Sequence, residues 1–323
     1  MYIEVVHVDK LELVTRNVEE VVTLDELKNL LETNPHPKVY VGYEPSGNIH
    51  LGHMITANKL VDCQQAGFEV TVLLADLHAY LNRKGTIEEI EKIAGYNKRC
   101  FIALGLSEAN TRFVLGSSYQ LSSKYETDVL RMACDTTLNR ARRSMDEVSR
   151  DAEDPRVSQM IYPLMQALDI AYLDVDVAMG GIDQRKIHML AREELPALGF
   201  RSPICLHTPL LLGLDGTKMS SSKGNNISVD EPADVVAKKI EKAFCPMGQV
   251  EDNPVLDLFR YHIFIKFPTV TIERPEKHGG NLEFASYAAL RDDFAAKKLH
   301  PIDLKKAAAR YMNIILASVR ERM

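Results

Sequence analysis

The chain has 323 residues, of which 46% are hydrophobic and 26% charged, and its formal net charge at pH 7 is −6. This length allows two domains with ordinary hydrophobic cores, and the negative charge argues against nonspecific coating of nucleic acid. No stretch reaches the ~20 apolar residues that span a bilayer, and the N-terminus lacks a secretory signal pattern, so we expect a cytoplasmic protein without a membrane partner.

Short apolar runs alternate with helical patterns over the first two-thirds of the chain, as in a parallel sheet covered by helices. Five strands are predicted, at residues 39–42, 70–75, 113–115, 175–179 and 204–206. Helices are predicted at residues 51–65, from the capping box of Thr86 and Glu89 to residue 104, and from about residue 183. The pattern predicts a Rossmann-like, doubly wound α/β domain.

A helical insertion of about residues 120–172 separates the third predicted strand from the fourth. A loop rich in Ser, Gly and Asn follows at 220–228. Beyond it four helices are predicted, at 232–244, 255–261, 282–297 and 303–320. We therefore predict two domains, an α/β domain over 1–225 that contains the insertion and a smaller, mainly α-helical domain over 226–323.

Two histidines and a distant lysine are the most telling residues for chemistry. His50 and His53 lie three residues apart, so they share one face of a first helical turn, where the helix N-terminus attracts anions. Lys218 lies in the segment Gly-Thr-Lys-Met-Ser-Ser-Ser, a loop that could close onto a leaving phosphate. A chance histidine pair or a serine-rich linker would explain either motif alone, but together they predict a nucleoside triphosphate site.

Two further segments carry polar groups where a ligand would bind. Gly180-Gly181-Ile-Asp183-Gln184 follows a predicted strand, at the edge where open α/β sheets bind ligands. Tyr162, Gln166 and Asp169 form a polar stripe on a predicted helix, at i, i+4 and i+7. Such a stripe usually faces solvent. Its apolar neighbours indicate instead a mostly buried helix whose polar groups need partners, for which a phenolic amino acid would serve.

These motifs resemble those of class I aminoacyl-tRNA synthetases, with His-Leu-Gly-His and Lys-Met-Ser-Ser-Ser as the two signatures. The resemblance is closest to the tyrosine-specific branch of archaeal and eukaryotic-cytosolic type. It continues through Tyr40-Val-Gly-Tyr-Glu44-Pro, Leu74-Ala-Asp-Leu-His78-Ala-Tyr and Arg274-Pro-Glu-Lys-His-Gly-Gly280, and so covers nearly the whole chain. One departure is Ser221, which stands where the second signature usually has another lysine.

The resemblance implies a two-step reaction. L-tyrosine attacks the α-phosphate of ATP to give tyrosyl-adenylate and pyrophosphate, and the tyrosyl group then passes to the terminal adenosine of tRNA(Tyr). Three catalytic residues are implied, His50, His53 and Lys218, and four ATP contacts, Gly52, Gly181, Asp183 and Ser221. Magnesium would accompany ATP. The five scattered cysteines include no Cys-x-x-Cys pair, so we expect no protein-bound zinc and no other metal ligands.

For the amino acid, the resemblance implies that Tyr162, Gln166 and Gln184 hold the ammonium group. Tyr40 and Asp169 would hydrogen-bond the phenol oxygen, with Glu44 nearby.

For the tRNA, the resemblance implies that Arg143 and Arg185 contact the acceptor stem, although arginines at such positions are as often salt-bridge partners. Asp303 would read a guanine at the first anticodon position, whereas its ordinary explanation is a helix cap. His278 stands where the family usually has a stacking aromatic ring. A homodimer through the insertion is also implied, although the apolar residues between 129 and 138 could equally belong to the core.

Three alternatives remain at this point. A tryptophanyl-tRNA synthetase would share the fold and both signatures, but Tyr40 and Asp169 favour a phenol over an indole. A noncatalytic RNA-binding relative would have damaged signatures, whereas His50, His53 and Lys218 are all present. A small-metabolite adenylyltransferase would lack the helical tail.

Overall fold

The computed structural model describes residues 9–146, 156–217, 219 and 223–323. The chain divides into two compact units. One consists of the residues up to Gly47 with Lys59–Leu210, and the other of Asn48–Asn58 with Leu211–Met323. The functional division into residues 1–225 and 226–323 stays a prediction.

The first unit is built on a six-stranded sheet. Its strands are β1 (Glu20–Val22), β2 (Lys38–Tyr43), β3 (Glu69–Leu74), β4 (Thr111–Leu115), β5 (Val177–Gly181) and β6 (Ile204–Thr208). Their order is β1-β6-β5-β2-β3-β4, and all neighbours are parallel except β1, which pairs antiparallel with β6. The predicted doubly wound α/β fold and its five strands are therefore confirmed.

The strand order has a functional consequence at the centre of the sheet. From the adjacent strands β2 and β5, the chain continues outwards in opposite directions, to β3 and β4 on one side and to β6 on the other. Ligands of open α/β sheets bind at such a switch point, beyond the carboxyl ends of the strands. Tyr40 lies on β2 opposite Ala178 of β5, and the Gly180-Gly181 pair ends β5.

Helices surround this sheet. In chain order they are α1 (Lys10–Thr15), α2 (Leu24–Thr33), α3 (Leu51–Gln65), α4 (Asp76–Leu81), α5 (Ile87–Ala103), α6 (Ser117–Gln120), α7 (Ser123–Asp135), α8 (Leu138–Met145), α9 (Val157–Tyr172) and α10 (Arg185–Glu194). The residues of α3 up to Asn58 belong to the second unit. The predicted capping box starts α5, because Thr86 Oγ1 accepts from the Glu89 amide and the Glu89 carboxylate from the Thr86 amide. In its described residues, the predicted insertion forms α7, α8 and α9.

The second unit is mainly helical, as predicted. Its elements are α11 (Ala233–Lys242), α12 (Pro254–Leu258), a π-helical turn (Phe259–Ile263), α13 (Phe264–Lys266), β7 (Val270–Ile272), β8 (Leu282–Phe284), α14 (Tyr287–Ala295) and α15 (Pro301–Arg320). The core face of α15 buries Leu304, Ala308, Met312 and Leu316 at four-residue spacing. No described helix combines the length and the apolar character needed to cross a membrane.

One predicted helix of this unit is wrong at its start. Residues 282–297 were expected to be helical throughout, but Leu282–Phe284 pairs antiparallel with β7. The helix begins only at Tyr287, where the Ser286 hydroxyl accepts from the Ala289 amide as N-cap. A three-residue strand is too short to show a period of two, so the sequence pattern missed it.

Candidate active site

A buried carboxylate is the centre of a polar cluster in the first unit. Asp169 on α9 is 0% exposed. Its Oδ1 accepts hydrogen bonds from the Tyr119 hydroxyl at 2.7 Å, from Gln120 Nε2 at 2.8 Å and from the Tyr125 hydroxyl at 2.8 Å. The polar stripe of α9 is therefore buried at this position and does not face solvent.

The other carboxylate oxygen of Asp169 differs from Oδ1 in its hydrogen bonding. Oδ2 is buried and has no hydrogen-bond partner among the described residues. His78 Nε2 lies 3.7 Å from it, and both ring nitrogens of His78 are buried with no hydrogen-bond partner in the described part of the chain. Burial raises the pKa of Asp169, while His78 and the three donors act in the opposite direction. Because a buried acceptor is costly when unpaired, Oδ2 is suited to a donor supplied by a ligand.

Tyr40 is next to this carboxylate. The side chain is 1% exposed, and its pKa is raised by burial and by the charge of Asp169. A hydrogen bond with Gln166 lowers this pKa by a smaller amount. Gln166 Nε2 in turn donates to Gln184 Oε1 at 3.1 Å. The structure thus brings together four of the predicted substrate contacts, one from β2, two from α9 and one from the turn after β5.

Glu44 forms the polar neighbourhood of Tyr162. Its Oε1 accepts from the Tyr162 hydroxyl at 2.7 Å and from Asn82 Nδ2, and Lys84 Nζ lies 3.7 Å from Oε2. Burial raises the pKa of Tyr162, and the Glu44 charge raises it further. Since the hydroxyl proton points to Glu44, the oxygen lone pairs of Tyr162 remain able to accept from an ammonium group.

The glycine pair after β5 makes room for two predicted site residues. A Cβ on Gly181 would lie 2.5 Å from Asp183 Oδ1, and a Cβ on Gly180 would lie 2.9 Å from Gln184 Cγ. Both side chains therefore fold back onto the strand end, in space that only glycine leaves open.

The two signature histidines lie in the second unit. Their rings stack, with centroids 3.8 Å apart. The Gly52 amide donates to His50 Nδ1 at 3.1 Å, and the His50 amide donates to His53 Nδ1 at 3.3 Å. An Nδ1 that accepts leaves the proton of a neutral imidazole on Nε2. Burial lowers the pKa of His50 to about 4, and burial together with the nearby His50 holds the pKa of His53 well below its usual value. Both rings are therefore neutral donors at pH 7.

The first signature is adjacent to part of the second. A Cβ on Gly52 would lie 3.2 Å from Met219 Sδ, so the absent side chain lets Met219 approach α3. Lys218 and Ser221, the two predicted contacts of this motif, lie outside the described residues. In the part of the chain that the structure describes, no group of three His, Cys, Asp or Glu side chains could hold a metal ion.

The predicted tRNA contacts are distributed over both units. Arg143 on α8 is exposed, and its Nε donates to the Asn139 carbonyl at 3.3 Å. Arg185 forms the salt bridge that was its alternative explanation, because its Nε donates to Glu20 at 2.8 and 3.0 Å. This pairing lowers the pKa of Glu20.

Asp303 lies in the first turn of α15, but it is not the helix cap. That position belongs to His300, whose Nδ1 accepts from the Ile302 amide at 3.2 Å. Asp303 lines a cavity of about 430 Å³ together with the basic side chains Arg274, Lys306 and Arg310. His278 ends an exposed turn and does not line this cavity.

The partners of Asp169 are site residues that the sequence analysis did not find. Tyr119 and Gln120 lie on α6, directly after the carboxyl end of β4, and Tyr125 lies on α7. Polar residues after a parallel strand are the signal that could have identified the first two.

Comparison with known proteins adds four findings. A family model for class I tRNA synthetases (W and Y) matches residues 32–317. The chain is 64% identical over 315 residues to a tyrosine–tRNA ligase of Archaeoglobus fulgidus, which covers 98% of each chain. The tyrosyl-tRNA synthetase structure from that organism in complex with L-tyrosine superimposes with a TM-score of 0.95 at 65% identity, over 97% of this chain and 98% of that one. The structure of the tyrosyl-tRNA synthetase from Pyrococcus horikoshii, also in complex with L-tyrosine, gives a TM-score of 0.90 at 33% identity, over 97% of this chain and 95% of that one.

Proposed function

The chain belongs to the class I tRNA synthetases of the tryptophan and tyrosine group, and we infer from its geometry how it acts as a tyrosine–tRNA ligase. The substrate carboxylate attacks the α-phosphate of ATP, forming tyrosyl-adenylate and expelling pyrophosphate. A terminal hydroxyl of tRNA(Tyr) then attacks the tyrosyl carbonyl, and AMP leaves. The substrate supplies the nucleophile in both steps, so the protein contributes positioning and charge stabilisation.

The unpaired Oδ2 of Asp169 is the observation that supports the substrate role most directly. A phenol hydroxyl can donate to this oxygen and accept from Tyr40 at the same time. An indole N–H can only donate, and the ring of phenylalanine can do neither, so both would leave a buried polar group unpaired. At the other end of the substrate, Tyr162, Gln166 and Gln184 offer oxygen acceptors to the ammonium group, and Glu44 supplies negative charge.

The neutral signature histidines support the role at ATP. Each carries its proton on Nε2 and can donate to a phosphate oxygen as negative charge grows in the transition state. Gly52, Gly181, Asp183 and Ser221 are the further proposed ATP contacts, and Lys218 adds a positive charge for the leaving pyrophosphate. Magnesium enters with ATP, bound through phosphate oxygens and water, which requires no protein cluster of ligands.

Charging of tRNA tests this function. With purified protein, tyrosine, ATP and a tRNA(Tyr) transcript, we expect tyrosyl-tRNA to form on an acid gel, and omission of any one substrate should abolish it. Formation of tyrosyl-adenylate without any charging would contradict the second step.

We also propose that the enzyme works in the cytoplasm, where tRNA is charged for translation.

Asp303 is proposed to read the first anticodon base, with Arg143, Arg185 and His278 as further tRNA contacts. Asp303→Ala should lower kcat/KM for tRNA(Tyr) roughly 5- to 150-fold, because a base-specific contact contributes about 1–3 kcal/mol. Adenylate formation without tRNA should not change. Asp292→Ala, which removes an exposed carboxylate from the neighbouring helix α14, serves as the control. Unchanged charging by Asp303→Ala together with a lower melting temperature would leave Asp303 a purely structural role.

We propose that the enzyme is a homodimer whose interface lies on the insertion. Met132 on α7 is buried, but Leu130 and Leu138 are 68% and 70% exposed. Large apolar side chains at such exposure mark protein interfaces when they cluster. Leu130→Glu should yield a monomer in sedimentation equilibrium, whereas Ile314→Glu, at an exposed position of α15, should not. A dimer that survives Leu130→Glu would place the interface elsewhere.

A further inference from the structure

The chain that follows the second signature motif is paired with the chain that carries the first. We call residues 226–229 the bridge segment. The Leu51 amide donates to the Ile227 carbonyl at 3.0 Å, the Val229 amide donates to the Ile49 carbonyl at 2.9 Å, and His50 stands opposite Ser228. Two backbone hydrogen bonds are too few to hold a register by themselves. The position of His50 therefore depends on what else holds the bridge segment.

An ion pair holds it from one side. Glu231 Oε1 accepts from the Ser228 amide at 3.2 Å and from Lys239 Nζ of α11. Lys239 Nζ also donates to the Asn226 carbonyl at 2.9 Å. The side chains of Lys239 and Glu231 are only 28% and 18% exposed, so solvent and salt screen this pair less than a surface pair. Asn226 and Ser228 of the bridge segment are thus both bonded to one charged pair.

Arg320, in the last turn of α15, also contacts Glu231. Arg320 Nη1 donates to the Glu231 carbonyl at 2.9 Å, and its Nη2 donates to the Asn313 carbonyl at 3.3 Å. The first turn of this helix carries Asp303, about 26 Å from Arg320 along the helix axis, at a rise of about 1.5 Å per residue. The helix α15 therefore carries the proposed anticodon contact, Asp303, in its first turn. In its last turn it carries Arg320, which contacts the residue that holds the bridge segment, Glu231.

We propose that Lys239, Glu231 and Arg320 are positioning residues for the first signature motif, which carries His50 and His53, and that they connect this motif to α15. The inference rests on the proposed role of His50 and His53 at ATP. None of the three side chains reacts. They fix the bridge segment, and through it the turn in which the imidazoles must meet the phosphates. A displacement of about 1 Å at a reacting group can slow a reaction up to a hundredfold.

The first test compares two neighbouring lysines of α11. Lys239→Met removes the central cation, while Lys238→Met removes an exposed lysine whose ammonium group donates to Asp234 at 3.0 Å. In ATP–pyrophosphate exchange without tRNA, Lys239→Met should lower kcat about tenfold to a hundredfold and leave KM for tyrosine unchanged. Lys239→Arg should restore most of the rate, and Lys238→Met should match wild type. An equal effect of Lys238→Met and Lys239→Met, or a KM for tyrosine that rises with the loss, would overturn the proposal.

The second test separates positioning from the simple docking of α15. Arg320→Met and Lys305→Met each remove one side-chain bond from α15 to a backbone carbonyl, at Glu231 and at Glu241 respectively. Only Arg320→Met should lower kcat of exchange. If circular dichroism shows that Lys239→Met does not fold, the comparison of Arg320→Met with Lys305→Met tests the proposal by itself. Equal exchange rates for these two variants would overturn it. All variants are compared with the wild-type protein. If the proposed function is wrong, the wild-type protein itself will show no tyrosine-dependent exchange, whereas failure of the positioning proposal would appear only in the variants.

Discussion

Replacing Asp169 by asparagine should lower kcat/KM for tyrosine in adenylate formation roughly 10- to 150-fold, because a hydrogen bond to a charged group contributes about 1.5–3 kcal/mol. The preference for tyrosine over phenylalanine should fall by a similar factor. Phenylalanine makes no hydrogen bond at Oδ2, so its activation should change little. The side-chain shape is retained, so the comparison isolates the charge and the acceptor.

The structure offers a matched control for this variant. Asp128 on α7 is also a buried carboxylate, which accepts from the Tyr172 hydroxyl at 2.8 Å and from Arg131 at 3.0 Å. Asp128→Asn should leave both kinetic constants for tyrosine unchanged. Exchange kinetics with tyrosine and phenylalanine, measured on both variants, check the expectation. A wild-type preference in Asp169→Asn would show that the phenol is recognised elsewhere.

Removing the imidazole of His53 should slow adenylate formation about 10²- to 10³-fold, which is the typical cost of one donor aimed at transition-state charge. Tyrosine affinity should persist, because His53→Ala changes none of the residues around Asp169. Lys218→Ala is expected to behave in the same way at the leaving pyrophosphate. Single-turnover kinetics give the rate, and titration calorimetry gives the affinity for tyrosine.

The contrary result is equally clear for His53. Loss of tyrosine binding with a normal rate at saturating tyrosine would assign the residue a structural role. His36→Ala, which removes an exposed histidine near the start of β2, controls for the loss of an imidazole as such.

Hydrophobic periodicity was sufficient for the main elements of the fold. Strands such as Glu69–Leu74, whose last five residues are all buried, follow from a continuous apolar run. Glu20–Val22 was missed, because three half-buried residues at a sheet edge show neither alternation nor a continuous run. The antiparallel pair in the second unit was missed for the same reason.

The candidate site was predictable where a motif lies within one element and unpredictable where distant elements meet. The stripe of Tyr162, Gln166 and Asp169 follows from helical spacing. The three donors to Asp169 come from residues 119, 120 and 125, some fifty positions earlier, and no local pattern encodes that contact. The segment with the glycine pair was predicted to lie where a ligand binds, but the sequence did not show that the two glycines make room for the side chains of Asp183 and Gln184.

The most direct measurement of the central claim is ATP–pyrophosphate exchange by the purified protein with tyrosine, tryptophan or phenylalanine as the only amino acid. Exchange with tyrosine alone is the predicted result, because only a phenol can both donate to Asp169 and accept from Tyr40. Exchange that runs as well with tryptophan or phenylalanine would contradict the assignment of these two residues as the determinants of substrate choice.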